Sequence, residues 1–358
     1  MKRILVTGAG GIGGVNFVRA LRASKEEFFI VGTDFNPFHL QFPNVDLRIN
    51  SPRHSDPAFI KLLAKIIDEN KIDFLHPQPS SEAQVVSKEH ITIKAKVLLP
   101  TANVIGRDKL ETQIILEKNC LPIAKTKTVS SPEMIEPTFN SFNQEKIWVR
   151  TKKGAGGSLS LLCNNSKEAK LWISLWITKG KALFDDFMIQ EYLPGKNLAW
   201  DSLWYKGKMI ASFTRERLEY PFKHISPSGI TGTPTVSRII IDERINKIGE
   251  NAVKAIDPLP HGNYAVDLKE NSDGRPCITE IDAGKFHSTT PLWGYISTKI
   301  QETEPMKNLP YLYVLLGIGE IDPTVLGHDI YPEGLYLLRH IDCGDWLWRE
   351  NGFKVQIL

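Results

Sequence analysis

Two stretches far apart in the chain decide the fold: IWVRTKKGAGGSLSLL (147–162) and NYAVDLKENSDGRPCITEIDAGK (263–285). In the first, an apolar run ends at Arg150 and passes into a turn holding Gly154, Gly156 and Gly157 before extended sequence resumes. Glycine permits backbone conformations and close approaches that other residues resist, so the turn reads as a lid over polyphosphate. In the second stretch Asp273-Gly274 is a hairpin signal between two strands, with Asp267 on one strand and Glu280 and Asp282 on the other. Residues two apart on a strand face the same side. Glu280 and Asp282 therefore point together, and Asp267 reaches the same place from the neighbouring strand. Three hard oxygen donors suit Mg²⁺, which is usually held by a few carboxylates plus substrate phosphates; Mn²⁺ would accept the same donors.

Outward from these stretches the chain reads as α/β followed by α+β. RILVT (3–7) is a strand, GAGGIGG turns it, VNFVRALRAS opens an amphipathic helix, and FFIVGTDF (28–35) is the next strand. A helix near 56–69 carries Phe59, Leu62, Leu63, Ile66 and Ile67 on one face, and strands are predicted at 72–77 and 96–100. This predicts a parallel α/β domain over residues 1–105. A lid unit over 106–190 begins with a helix from about Asp108 to Lys118 and includes a helix at 167–178. The larger unit, 191–358, has extended runs at 198–205 and 208–214, a helix at 242–256, the carboxylate hairpin, and an extension from about 301.

Composition narrows the function. The 44 Lys and Arg against 41 Asp and Glu leave a net charge of +3, too small to argue for nucleic acid. No apolar run approaches the roughly 18 residues of a membrane span, and MKRILVTGAGG reaches a glycine turn too soon for a signal peptide. Four cysteines and nine histidines show no metal-binding spacing. The expectation is a reduced, cytoplasmic protein. TGAGGIGG also fits both GxGxxG (Gly8, Gly10, Gly13) and TGxxGxxG (Thr7, Gly8, Gly11, Gly14), with Asp34 where a ribose-binding acid would stand. Taken alone this suggests a nicotinamide-dependent dehydrogenase or epimerase, which needs a Tyr-xxx-Lys pair on a helix. Tyr192/Lys196 is interrupted by Pro194-Gly195, and Tyr295/Lys299 lies far along the chain.

The order Asp108-Lys109, Arg150 with its glycine loop, MIQEYLPG (188–195), then Asp267, Glu280 and Asp282 resembles the ATP-grasp enzymes. Within them it is most similar to one synthetase half of the large chain of carbamoyl-phosphate synthetase, over residues 1 to about 300. The resemblance implies an ATP-grasp fold with an N-terminal Rossmann-like domain, and ATP with Mg²⁺ between the lid and the larger unit. It makes Lys109 and Arg150 the phosphate cations, with Lys153, Gly154, Gly156, Gly157 and Ser158 in the loop over them. It makes Gln190, Glu191, Tyr192 and Leu193 the adenine hinge, where the backbone of Glu191 and Leu193 pairs with the base and Met188 and Leu193 give apolar contact. Asp267, Glu280 and Asp282 become the metal ligands.

The chemistry implied is attack of a carboxylate on the γ-phosphate of ATP, followed by displacement of phosphate from the acyl phosphate by an amine. The partners implied are small-molecule carboxylate and amine substrates, with no nucleic acid or membrane, and a homodimer is compatible with it. A kinase-like reaction ending at acyl or carbamoyl phosphate, and a nucleotide-binding protein without turnover, stay open. Three departures from the family pattern matter. Asn197 stands where a Glu usually binds ribose, Asp282 replaces an Asn, and the Arg that usually contacts the acceptor is missing, with Gly284 in its place and Lys285 next. Lys285, with Arg339 from the C-terminal extension, is the expected acceptor-binding pair. Asp342 and His287 are further polar candidates there.

Overall fold

The computed structural model describes residues 1–89, 92–154, 157–229, 232–300, 307–340 and 343–357. Strands β1 (Lys2–Thr7), β2 (Phe28–Asp34), β3 (Leu47–Asn50) and β4 (Phe74–Pro77) form a parallel sheet in the order β3-β2-β1-β4. Ile4, Leu5 and Val6 are all fully buried because β1 is covered on both faces. Ile4 and Val6 pack with Phe17 and Leu21 of the helix Ile12–Arg22, whereas Leu5 packs with Phe59 and Leu63 of the helix Ala58–Asn70. The strand expected at 96–100 is reduced to one bridge from Lys96 to Phe74, because the chain turns away at Pro100 to lie against Gly262, whose Cβ position would stand 2.7 Å from the Leu98 carbonyl.

The glycine turn after β1 is closely packed. A Cβ on Gly14 would stand 2.4 Å from the Gly8 carbonyl oxygen, and Gly8 itself has φ +58° with Pro79 at 2.3 Å from its Cβ position. The Asp34 carboxylate, expected near a ribose in the dinucleotide reading, accepts from the Gly10 and Asn36 amides at 3.0 and 2.9 Å.

The lid is an antiparallel sheet in the order β5-β8-β6-β7, made of β5 (Thr126–Thr128), β6 (Ile147–Thr151), β7 (Leu161–Cys163) and β8 (Phe187–Glu191). Its helix Ser166–Thr178 is capped by Asn165, which accepts from the Glu168 amide. The helix Lys109–Lys118, grouped with the lid by sequence, sits instead on the large sheet: Leu116 packs with Val253, Leu268 and Ile278.

The large sheet runs β13-β12-β9-β10-β11-β14-β15-β16. Its strands are β9 (Asn197–Tyr205), β10 (Lys208–Glu219), β11 (Val236–Ile240), β12 (Gly262–Glu270), β13 (Pro276–Ala283), β14 (Tyr336–His340), β15 (Gly344–Trp348) and β16 (Lys354–Gln356). Alternation on β9 sends Trp200 and Trp204 toward the helix Glu243–Ile256 and Leu203 to the opposite face. That opposite face meets the helix Leu309–Ile318 and, through it, the core of the parallel domain. The C-terminal segment is thus no appendage. Its strands widen the large sheet and its helix joins two units, since each has an apolar face to bury.

Candidate active site

Asp267 and Glu280 are register partners across β12 and β13, and Asp282 lies two residues farther along the same face. The hairpin turn read from Asp273-Gly274 closes at this end of the sheet, with Gly274 at φ +72°. Each carboxylate faces its own cation. Glu280 bonds Arg150 Nη2 at 2.7 Å and lies 3.1 Å from Lys109 Nζ. Asp267 takes a two-pronged contact from Arg217, at 3.0 and 2.5 Å. Asp282 meets Lys285 Nζ at 3.2 Å and His287 Nε2 at 3.1 Å. Because His287 Nδ1 accepts from Arg215 and Arg217, its proton sits on Nε2 and is donated to Asp282. Burial alone would raise both carboxyls, but Arg217 holds Asp267 below the usual carboxylate range, and Lys285 with His287 does the same for Asp282.

Among the described residues no three acidic or histidine side chains are gathered closely enough to hold one ion as they stand. The donors themselves fit Mg²⁺: three carboxylates on one sheet face, with cationic heads in the space between them.

Apart from Lys109, these groups line one cavity of about 640 Å³ between the lid, the large sheet and the parallel domain. At the lid end it is bounded by Arg150, Gly157, Gln190, Glu191, Tyr192 and Leu193, with Asn197 beside them. Glu191 donates its amide to the Lys125 carbonyl at 2.9 Å and accepts the Lys125 amide on its carboxylate at 2.8 Å, while the Tyr192 amide donates to Gln144. Met188 is fully buried beside Arg150 in the sheet and is not in the cavity wall. Lys109 reaches Glu280 from behind that wall, its Nζ also donating to the Gly154 carbonyl at 2.5 Å. Lys153, Gly154 and Ser158 do not line the cavity. Gly156 and Asp342 lie outside the described residues.

Arg339 is not brought to this site. It stands on β14 and donates to Asp345 of the neighbouring strand at 3.0 Å, because the extension adds strands at the sheet edge remote from β12 and β13. Gly284 explains the missing arginine. Its φ is +81°, and a Cβ there would stand 3.0 Å from Ile105, so the position cannot carry a side chain without strain.

Sequence reading missed several wall residues. Trp148 stands two residues before Arg150 on β6 and faces the same cavity; Arg215 and Arg217 do so on β10. The period-two spacing was the available signal. Tyr220, which accepts from Asn197 Nδ2 at 3.0 Å, and Ser80 and Ser81 carried no chemical signal of their own, whereas the turn around Gly8–Gly14, read for a dinucleotide, lines this cavity instead.

No protein-family model and no curated protein matches the sequence. Solved structures do. The L-amino acid ligase from Bacillus licheniformis superposes with a TM-score of 0.65 at 15% identity, covering 94% of this chain and 79% of that one. The biotin carboxylase domain of the Hydrogenobacter thermophilus 2-oxoglutarate carboxylase, in complex with MgADP, ADP and bicarbonate, gives 0.69 at 13% identity, over 94% and 73%. N5-carboxyaminoimidazole synthetase from Staphylococcus aureus, complexed with ADP, gives 0.65 at 16%, over 95% and 82%. Parallel domain, antiparallel lid and large sheet all enter these superpositions, and the chain has the ATP-grasp fold.

Proposed function

We propose that this chain is an ATP-dependent carboxylate–amine ligase that makes an amide through an acyl phosphate. The observation that supports it is what one cavity gathers: the apolar and aromatic hinge residues, Arg150, the three carboxylates Asp267, Glu280 and Asp282, and Lys285, together with the glycine turn of the parallel domain. Adenine lies between Trp148, Leu193 and Leu268. With the Glu191 and Tyr192 amides already committed, the base edge is read by the Leu193 amide. Asn197 and Tyr220 hydrogen-bond the ribose.

Asp267, Glu280 and Asp282 would hold Mg²⁺, which when bound offsets charge on the phosphate oxygens. Arg150 and Lys109 turn from Glu280 to the phosphates, where charge builds during transfer. An oxygen of the acceptor carboxylate, steered by Lys285, attacks the γ-phosphorus, and the bond to the bridging oxygen breaks with its electron pair leaving on ADP. The amine then attacks the acyl carbon, phosphate departs with its bonding pair, and the amine loses a proton. A closed lid keeps water from the acyl phosphate. A reducing, cytoplasmic setting suits the four free cysteines, of which Cys163 is buried with its thiol pushed up to about 12 by burial.

The test is ligand-dependent unfolding followed by turnover. Mg-ATP and Mg-ADP should raise the unfolding temperature and NADPH should not, and ADP release over pairs of carboxylates and amines should identify the substrates. Stabilisation by NADPH without response to adenine nucleotides would overturn the reading.

A further inference from the structure

We propose that Arg217 is the oxyanion clamp at the acceptor end of the cavity, parked on Asp267 until a divalent cation takes that carboxylate. This rests on the function proposed above and adds the residue that recognises the acceptor, together with the order in which ligands bind.

Three observations carry it. The position that would hold an acceptor arginine, Gly284, holds a side chain only under strain, and Lys285 is engaged with Asp282 at 3.2 Å. Of the other two guanidiniums in the wall, Arg150 is held at the lid end by Glu280 at 2.7 Å and the Thr279 carbonyl at 3.3 Å, and Arg215 is 1% exposed and committed through all three nitrogens: to Asp201 at 3.0 Å, to Thr289, and to His287 and Thr290 at 3.2 Å each. Arg217 is different. Its two terminal nitrogens depend on Asp267, with only a 3.4 Å contact to His287 besides, and its buried Nε has no hydrogen-bond partner.

A guanidinium fork matches a carboxylate or phosphoryl group as well as it matches Asp267. Once a cation draws Asp267 away, a desolvated Arg217 without a partner is costly. The open cavity beside it then offers one replacement, an oxyanion: the acceptor carboxylate, or the phosphoryl group made on it. Metal and oxyanion thus favour each other's binding, and coupling of this kind is reciprocal.

The experiment is isothermal titration of the full chain and of Arg217→Gln and Arg217→Lys. Mn²⁺ is titrated alone; inorganic phosphate and malonate are titrated in the presence of Mg-ADP. With the competing guanidinium gone, Arg217→Gln should bind Mn²⁺ more tightly, by roughly fivefold, while its affinity for the anion falls roughly tenfold or more. Arg217→Lys should fall between. Loss confined to phosphate assigns the clamp to the phosphoryl group, and loss confined to malonate assigns it to the acceptor carboxylate. A pair that merely holds the fold would weaken both metal and anion binding and lower the unfolding temperature; that result, or unchanged affinities in both variants, overturns the inference. Failure of the unsubstituted chain to bind Mg-ADP at all would remove the proposed function as well, which separates the two failures.

Discussion

Arg215 and Arg217 stand two residues apart on β10 and each faces a carboxylate, yet one pair is sealed and the other open. Asp201 and Arg215 are 0% and 1% exposed, and Asp201 also accepts from Thr290 at 2.7 Å. Asp267 and Arg217 are 24% and 11% exposed and look into the cavity. A buried ion pair with every donor satisfied is framework, because removing either member strands the other without water. A pair at a cavity wall with one principal partner can exchange it. The same chemistry two residues apart therefore serves two ends, and the neighbours decide which.

The largest effect is expected where the sealed pair is broken. Asp201→Ala should cost about 3 to 5 kcal/mol of unfolding free energy, measured by urea titration, since Arg215 is left charged and desolvated; a loss below about 1 kcal/mol would mean the pair is not framework. On the open side, Glu280→Gln combined with Asp282→Asn should cut ADP formation by about 10² to 10³-fold, as charge facing the phosphates is lost, while urea stability changes by no more than about 1 kcal/mol. Unchanged turnover would remove these carboxylates from the site.

A buried imidazole gives a pH test of the sealed type. His76 is stacked on Phe17 at 3.8 Å and bonded to Gln78, and burial pushes its pKa from 6.5 down to about 4. Between those values the unfolded chain takes up a proton that the folded chain refuses. Stability therefore falls as pH drops from 6.5 to 4, by up to about 3 kcal/mol from this group. In His76→Phe that part of the slope should vanish, and an unaltered slope would mean that His76 is already charged in the fold. The smallest effect belongs to Lys285→Ala, expected to raise the acceptor KM roughly tenfold with Mg-ATP affinity unchanged. A change in nucleotide affinity instead would assign Lys285 to the phosphates.

What the sequence made legible was whatever depends on local order. The βαβ opening, the hinge strand Phe187–Glu191 and the carboxylate hairpin formed near their expected bounds, since period, turn residues and charge spacing are properties of neighbouring residues. Three things escaped it. Arg217 escaped because its period-two spacing with Arg215 gives only the face it points to, whereas its role comes from Asp267, fifty residues on and across a third strand. Arg339 misled because a cation on an apolar hairpin says nothing about which sheet edge the hairpin joins. The first glycine turn could be read as ligand-binding or as packing, and the fold gives it both, since Pro79 presses on Gly8 while the turn lines the cavity.

The helix Leu309–Ile318 has a bearing on how the molecule is made. Tyr313 packs edge-on against Phe74 at 5.2 Å, and Gly317 comes so close to that ring that a Cβ there would stand 2.1 Å from it. Phe74 thus waits for a helix much later in the chain before its ring is covered. During synthesis the side of the Phe74 ring that Tyr313 and Gly317 cover is exposed while the lid and most of the large sheet emerge. A chain halted before residue 309 leaves that apolar surface bare, a place where partly made chains can stick to one another.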